Sequence, residues 1–152
     1  MLRPGTNAPD IELPDQNGHP FRLSSLKGQK NVVLFFYPND YGTVCTKEAC
    51  AFRDAYEDLV GLDTVVIGIS AQGKTSHQRF AQQYNLPFTL LSDKEGVASK
   101  AYGLGRWLGL LNDRATFVID KNGIIRATVR NMISAQVHVR KALETLGAQR
   151  SV

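Results

Sequence analysis

The sequence predicts an α/β fold, a three-layer sandwich with a mixed central sheet. Three observations predict it. Two continuous apolar runs, Asn31–Tyr37 and Thr64–Ser70, have the length and β-branched content of strands covered on both faces. The stretches after them carry apolar residues at helical spacing, such as Phe52, Tyr56, Leu59 and Val60. The chain closes with two strand-like runs joined by Asp120-Lys121-Asn122-Gly123, then one more amphipathic stretch. Strands alternating with helices, followed by a hairpin and a helix, place helices on both faces of one sheet. The 152 residues, without repeats or low-complexity linkers, are expected to form a single domain over 1–152.

Taken in order, residues 4–23 hold Pro4, Pro9, Pro14, Gly5 and Gly18. Asp15-Gln16-Asn17-Gly18 is a turn signal between Ile11-Glu12-Leu13 and Phe21-Arg22-Leu23, which predicts a short edge hairpin. Leu23–Gly28 reads as one capped helical turn. Asn31–Tyr37 is the first central strand, followed by a loop and a helix to about Val60. Thr64–Ser70 is the second strand. A helix starting at Thr75-Ser76-His77 turns Phe80 and Tyr84 inward and stops at Asn85-Leu86-Pro87. Phe88–Leu91 is a short strand and Glu95–Tyr102 a short helix ended by Gly103. Leu104–Asp113 reads as irregular, its apolar group Trp107, Leu108, Leu110 and Leu111 serving as core or pocket rim. Ala115–Ile119 and Ile124–Val129 form the hairpin. Ser134 is expected to cap the last helix, with Val137, Val139, Ala142, Leu143 and Leu146 as its stripe, and 147–152 to fray.

Composition narrows the function classes. Hydrophobic content of 43% and charged content of 21% are ordinary for a globular protein. No apolar run approaches the ~20 residues of a membrane span, and Met1-Leu2-Arg3-Pro4-Gly5 lacks the apolar core of a signal peptide. A cytoplasmic protein without a membrane partner is therefore expected. The net charge of +4 comes from scattered basic residues, which argues against nucleic-acid binding. His19, His77 and His138 are isolated in sequence, so no zinc-ligand cluster is expected.

Both cysteines, Cys45 and Cys50, lie in one stretch between the first central strand and its following helix. Two cysteines this close do not make the framework of a stapled secreted fold. They are either buried and inert or a redox pair. Their placement bears on reactivity: the unpaired N–H groups and positive dipole end of a helix start favour a thiolate.

The residues around them are specific. Tyr37-Pro38, Cys45-Thr46, Glu48-Ala49-Cys50 and Phe52-Arg53-Asp54 together resemble the active-site segment of peroxiredoxins. The second cysteine five residues after the first resembles the bacterioferritin-comigratory-protein or Q-type branch. Ser76-His77-x-x-Phe80, Leu86–Asp93 and Arg114-x-Thr116-Phe117-x-Ile119-Asp120 extend the similarity, which runs from about Pro4 to Leu146. The resemblance implies a thioredoxin-like fold with an N-terminal hairpin. It implies reduction of hydrogen peroxide and organic hydroperoxides in antioxidant defence, recharged by thioredoxin or a glutaredoxin-like donor. It implies Cys45 as the peroxidatic thiol, oxidised to a sulfenic acid, and Cys50 as the resolving thiol that forms a disulfide with it. Arg114 would stabilise charge, being permanently cationic with a fixed fork of donors. Glu48 resembles the residue that orients that arginine, and Pro38 would shape the loop. No metal, haem or flavin is implied, and a monomer is expected.

One position departs from the family. Three residues before the peroxidatic cysteine the family has Thr or Ser; here the position is Gly42. The hydroxyl that contacts the thiolate and peroxide is missing there, and Thr43 is the residue that could substitute through the conformational freedom of Gly42. The alternative is a redox sensor or partner-binding relative with weak turnover. A thioredoxin-like oxidoreductase is disfavoured because no Cys-x-x-Cys pair is present.

Overall fold

The computed structural model describes residues 1–104, 106–107, 111–112, 114–130 and 134–150. The first hairpin pairs β1 (Glu12–Pro14) with β2 (Pro20–Arg22), and a 3₁₀ turn over Leu23–Leu26 follows. The main sheet is built from β3 (Asn31–Phe36), β4 (Thr64–Ser70), β5 (Thr89–Ser92), β8 (Ala115–Ile119) and β9 (Ile125–Arg130), in the order β5-β4-β3-β8-β9. β3, β4 and β5 run parallel; β8 is antiparallel to β3, and β9 to β8. The helices are α1 (Thr43–Asp54), α2 (Tyr56–Gly61), α3 (Lys74–Tyr84), α4 (Val97–Ala101) and α5 (Ala135–Arg150). The expected mixed sheet flanked by helices is therefore present.

Strand β3 shows why. Its period of two sends Val33 and Phe35 to one face and Val32, Leu34 and Phe36 to the other, all buried. The first set joins Phe52, Leu59, Phe80, Val139, Ala142 and Leu146 beneath α1, α2, α3 and α5. The second joins Ile11, Leu23, Ile67, Ile69, Tyr102 and Phe117 beneath the N-terminal segment and α4. A strand buried on both faces must read as a continuous apolar run, as it does. In β4, Gly68 is dictated by packing: a Cβ there would lie 2.7 Å from the Phe35 ring and 2.9 Å from Leu90.

Several local expectations are corrected. The helix expected to reach Val60 is two, divided at Ala55, whose φ of −89° and ψ of 1° leave the α region. The final helix continues to Arg150 where fraying from Gly147 was expected. Within Leu104–Asp113, read as irregular, Arg106–Trp107 and Leu111–Asn112 pair as the short antiparallel strands β6 and β7. The side chains of Trp107 and Leu111, and Leu108, Leu110 and Asp113, lie outside the described residues. The stop of α3 is as expected: Asn85 takes the left-handed conformation at φ 52° before Leu86-Pro87.

Candidate active site

The β3–α1 junction carries the chemistry. β3 ends at Phe36, and Tyr37 still pairs through its N–H with Ile69 O at 3.0 Å. The chain then leaves the sheet through half-buried Pro38, turns at Asp40-Tyr41, and enters α1 with Gly42 as N-cap. Tyr41 is a non-glycine residue at φ 66°, a conformation that needs outside support. Asp40, just before it, is held by the end of β3 and by residues at and before the start of α3. Tyr37 Oη donates to Asp40 Oδ1 at 2.6 Å, Ser76 Oγ donates to Asp40 Oδ2 at 2.7 Å, and the Asp40 N–H donates to Gln72 Oε1. His77 Nδ1 lies 2.7 Å from Asp40 Oδ2 and its Nε2 3.1 Å from Leu91 O. A carbonyl only accepts, so Nε2 carries a proton, and a further proton lies between His77 and Asp40. Asp40 and His77 are both buried, so the loop is latched to the start of α3 by a short buried hydrogen bond.

Cys45 stands in the first turn of α1, buried, with both cysteines as free thiols. Arg114, immediately before β8, reaches across to it: Nη2 donates to Cys45 Sγ at 3.0 Å and Nη1 to Glu48 Oε1 at 3.1 Å. Glu48 is on α1, three residues after Cys45, so the helix presents thiol and carboxylate on one face to one guanidinium. Behind them α5 brings His138, whose Nδ1 is 3.4 Å from Glu48 Oε2 and 2.7 Å from Thr116 Oγ1. Glu48, Thr116 and His138 are each 0% exposed. Glu48 Oε2 and Arg114 Nε have no hydrogen-bond partner among the described residues; the Glu48–His138 approach is an ion-pair distance without hydrogen-bond geometry.

Burial controls the electrostatics. It pushes the Cys45 thiol up from its ordinary value; Arg114 and the Asn39 backbone pull it down, and Glu48 pushes it up again. Burial likewise raises the Glu48 carboxyl to about 8 against the pull of Arg114. Tyr37 is raised by burial and by Asp40, so its phenol stays neutral. The expectation that a helix N-terminus alone would favour the thiolate is thus incomplete, because desolvation is the largest influence at this sulfur.

The structure brings Cys45, Glu48 and Arg114 together. Pro38 borders the junction. Cys50 is half-buried on the same helix, five residues on. Thr43 is exposed at the first helical position, and no contact of its hydroxyl with Cys45 occurs among the described residues. An N-cap side chain folds back over the third helical residue, whereas the first helical residue points away. The position facing the sulfur is Gly42, where a Cβ would lie 3.5 Å from Cys45 Sγ. Sequence reasoning missed Asp40 and His138 and read His77 as a helix-start polar residue. A lone histidine acquires meaning only when the fold supplies a partner. The one available signal for His138 was its place inside the apolar stripe of α5.

Comparison with known proteins agrees with this geometry. Residues 4–128 match the AhpC/TSA family. The chain is 43% identical over 143 residues to chloroplastic peroxiredoxin Q of Sedum lineare, covering 93% of this chain and 76% of that one. It is 46% identical over 145 residues to chloroplastic peroxiredoxin Q of Arabidopsis thaliana, covering 95% and 67%. Among solved structures, peroxidoxin BcpB from Mycobacterium tuberculosis superposes with a TM-score of 0.91 at 38% identity, over 97% of this chain and 98% of that one. The cytoplasmic expectation is overturned by the plant relatives, which are named chloroplastic; the lack of an apolar leader at Met1–Gly5 carried no information about compartment. The chain belongs to the AhpC/TSA family and, within it, to the Q-type peroxiredoxins, which are thiol-dependent peroxidases.

Proposed function

We propose that this protein reduces hydroperoxides at Cys45 and resolves the product through Cys50. The observation that carries the assignment is the Arg114 guanidinium, which binds Cys45 Sγ at 3.0 Å and Glu48 at 3.1 Å in a buried site. The Cys45 thiolate attacks one peroxide oxygen and breaks the O–O bond. That gives Cys45–SOH and an alkoxide or hydroxide, which takes up a proton to leave as alcohol or water. Arg114 donates to the sulfur and stabilises the charge developing on the oxygens. Pro38 shapes the wall of the site, and Thr43 contributes only if the loop shifts. Cys50 then attacks the sulfenic sulfur, releasing water and forming the Cys45–Cys50 disulfide. A thioredoxin-type or glutaredoxin-like dithiol returns both thiols. In this reading the protein acts as a monomer, with the whole chain as a single domain. The test is peroxide consumption coupled to a thioredoxin system: Cys45→Ser abolishes it, and Cys50→Ser leaves Cys45–SOH to be trapped by dimedone. Retained turnover in Cys45→Ser refutes the assignment.

A second reading has its own observation. Gly42 offers no hydroxyl to the sulfur, and burial holds the Cys45 thiol up. Both favour a slow peroxidase serving as a redox sensor or binding partner. Steady turnover distinguishes the two.

A further inference from the structure

With Glu48 ionised, the thiolate state would hold more charge than one arginine can balance. In the thiolate state Cys45 and Glu48 are two buried acids on α1, facing a single guanidinium. A buried anion without a counter-charge is costly, so ionising Cys45 requires the rest of the cluster to gain a positive charge or lose a negative one. Arg114 is permanently charged and has nothing to add. Among the described residues, the remaining groups facing the cluster are Tyr37 at the end of β3, Thr116 on β8, and His138 on α5. Tyr37 is a neutral phenol and Thr116 does not titrate. On β9, which α5 also packs against, the buried positions Ala127 and Val129 are apolar. Of these, His138 can take up a proton, and it stands 3.4 Å from the Glu48 oxygen that has no hydrogen-bond partner among the described residues.

We propose that His138, held by Thr116, is the charge-balancing residue of the peroxidatic site. With Glu48 it holds the proton that Cys45 gives up, leaving the charge of Arg114 to the thiolate. The step balances within the cluster: the Cys45 S–H bond breaks, and one proton is added to the Glu48–His138 pair, on the carboxylate or on the imidazole, 3.4 Å apart. The charge of the buried cluster is unchanged. The thiolate then forms without an uncompensated charge, although burial alone disfavours it. Thr116 Oγ1, 2.7 Å from Nδ1, holds the imidazole with this nitrogen 3.4 Å from Glu48 Oε2. His138 does not touch peroxide; it acts through Glu48 and Arg114 and is a positioning residue.

The inference rests on Cys45 as the peroxidatic thiol, and its test separates the two. The reduced protein is titrated by thiolate absorbance and by the pH dependence of its oxidation by hydrogen peroxide. In His138→Asn, which keeps a polar atom near the Nδ1 position but cannot hold the extra proton, the Cys45 midpoint is expected to rise by about one unit or more. The rate near neutral pH is expected to fall accordingly. In a Glu48→Gln background, where the second acid is permanently neutral, the same substitution is expected to leave the midpoint unmoved. An unchanged profile in His138→Asn overturns the proposal, and so does an equal shift in both backgrounds, which marks a packing role. Should His138→Asn not fold, ¹⁵N NMR of the wild-type imidazole decides: blocking Cys45 with iodoacetamide is expected to shift the Nδ1 resonance, and no shift overturns the proposal. If the wild type shows no Cys45 titration or reaction, the assignment of Cys45 fails instead.

Discussion

Oxidation is expected to unwind the start of α1, and the structure bounds how far. Cys45 and Cys50 lie within one helix, Thr43–Asp54. Five residues at 1.5 Å each separate them by ~7.5 Å along the axis, and at ~100° per residue their side chains diverge by roughly 140°. A disulfide needs Cα atoms at most ~7 Å apart with converging Cβ atoms. The helix between the two cysteines must therefore open. On one side the chain is held at Asp40 by Tyr37, Ser76 and His77. On the other it is held at Phe52, which is buried and stacked on Phe35 with centroids 4.9 Å apart. The change is thus confined to residues 41–51. The i→i−4 bonds donated by Thr46 through Cys50, beginning with Thr46 N to Gly42 O at 2.8 Å, are lost. At about 1 kcal/mol net each, roughly five bonds amount to ~5 kcal/mol, which a chain in this segment must lose in local stability. Since each 1.4 kcal/mol is tenfold, amide protection over 46–50 is expected to fall by about 10³ to 10⁴. Hydrogen exchange with mass spectrometry compares the reduced protein with the protein carrying a verified Cys45–Cys50 disulfide. Loss of protection in 46–50 with α2 and α3 unchanged is expected. Unchanged exchange over 46–50 in the disulfide form refutes the geometry.

Arg114→Lys keeps the charge but loses the fork, so the rate of Cys45 oxidation is expected to fall by about 1.5–3 kcal/mol, roughly 10- to 100-fold, in stopped-flow assays. Gly42→Thr places a hydroxyl beside Sγ where a Cβ meets only ordinary contacts at 3.5 Å; it is expected to fold normally and to oxidise faster than wild type, while Thr43→Val changes little unless the loop shifts. His77→Leu leaves the buried Asp40 carboxyl without its ring partner and is expected to cost ~3–5 kcal/mol in denaturant unfolding. Glu48 is raised to about 8 in the fold against an ordinary carboxyl near 4.5. The unfolded chain ionises first, so the stability that Glu48 contributes is complete below about 4.5 and is lost as pH rises through about 8. Glu48→Gln is expected to flatten the pH dependence of stability across that window, as measured by thermal unfolding.

The sheet and the nucleophile segment were legible because their signals are local. β3 and β4 read as strands since both faces are buried, and the loop-to-helix passage after Tyr37 is marked by Pro38 and Gly42. The break at Ala55 was not legible, because alanine favours helix and the apolar spacing continues through Tyr56 and Leu59. Arg114 was legible only through the family resemblance; a basic residue before a strand is ordinarily a surface ion pair. Asp40, His77 and His138 were not legible as a set. They are separated by 37 to 98 positions, and only the packing of α3 and α5 around the sheet gives Asp40 and Glu48 their histidine neighbours. Thr43 shows the converse: its proximity in sequence suggested a role that helix-start geometry gives to position 42.

The central claim is that Arg114 and its buried partners make Cys45 a peroxidatic thiol. It is tested most directly by the second-order rate constant for hydrogen peroxide with the reduced protein, read by mass spectrometry of Cys45. The expected result is a rate far above that of a free cysteine, strongly reduced in Arg114→Lys and followed by a Cys45–Cys50 disulfide. A rate close to that of a free thiol, or one indifferent to Arg114, contradicts it.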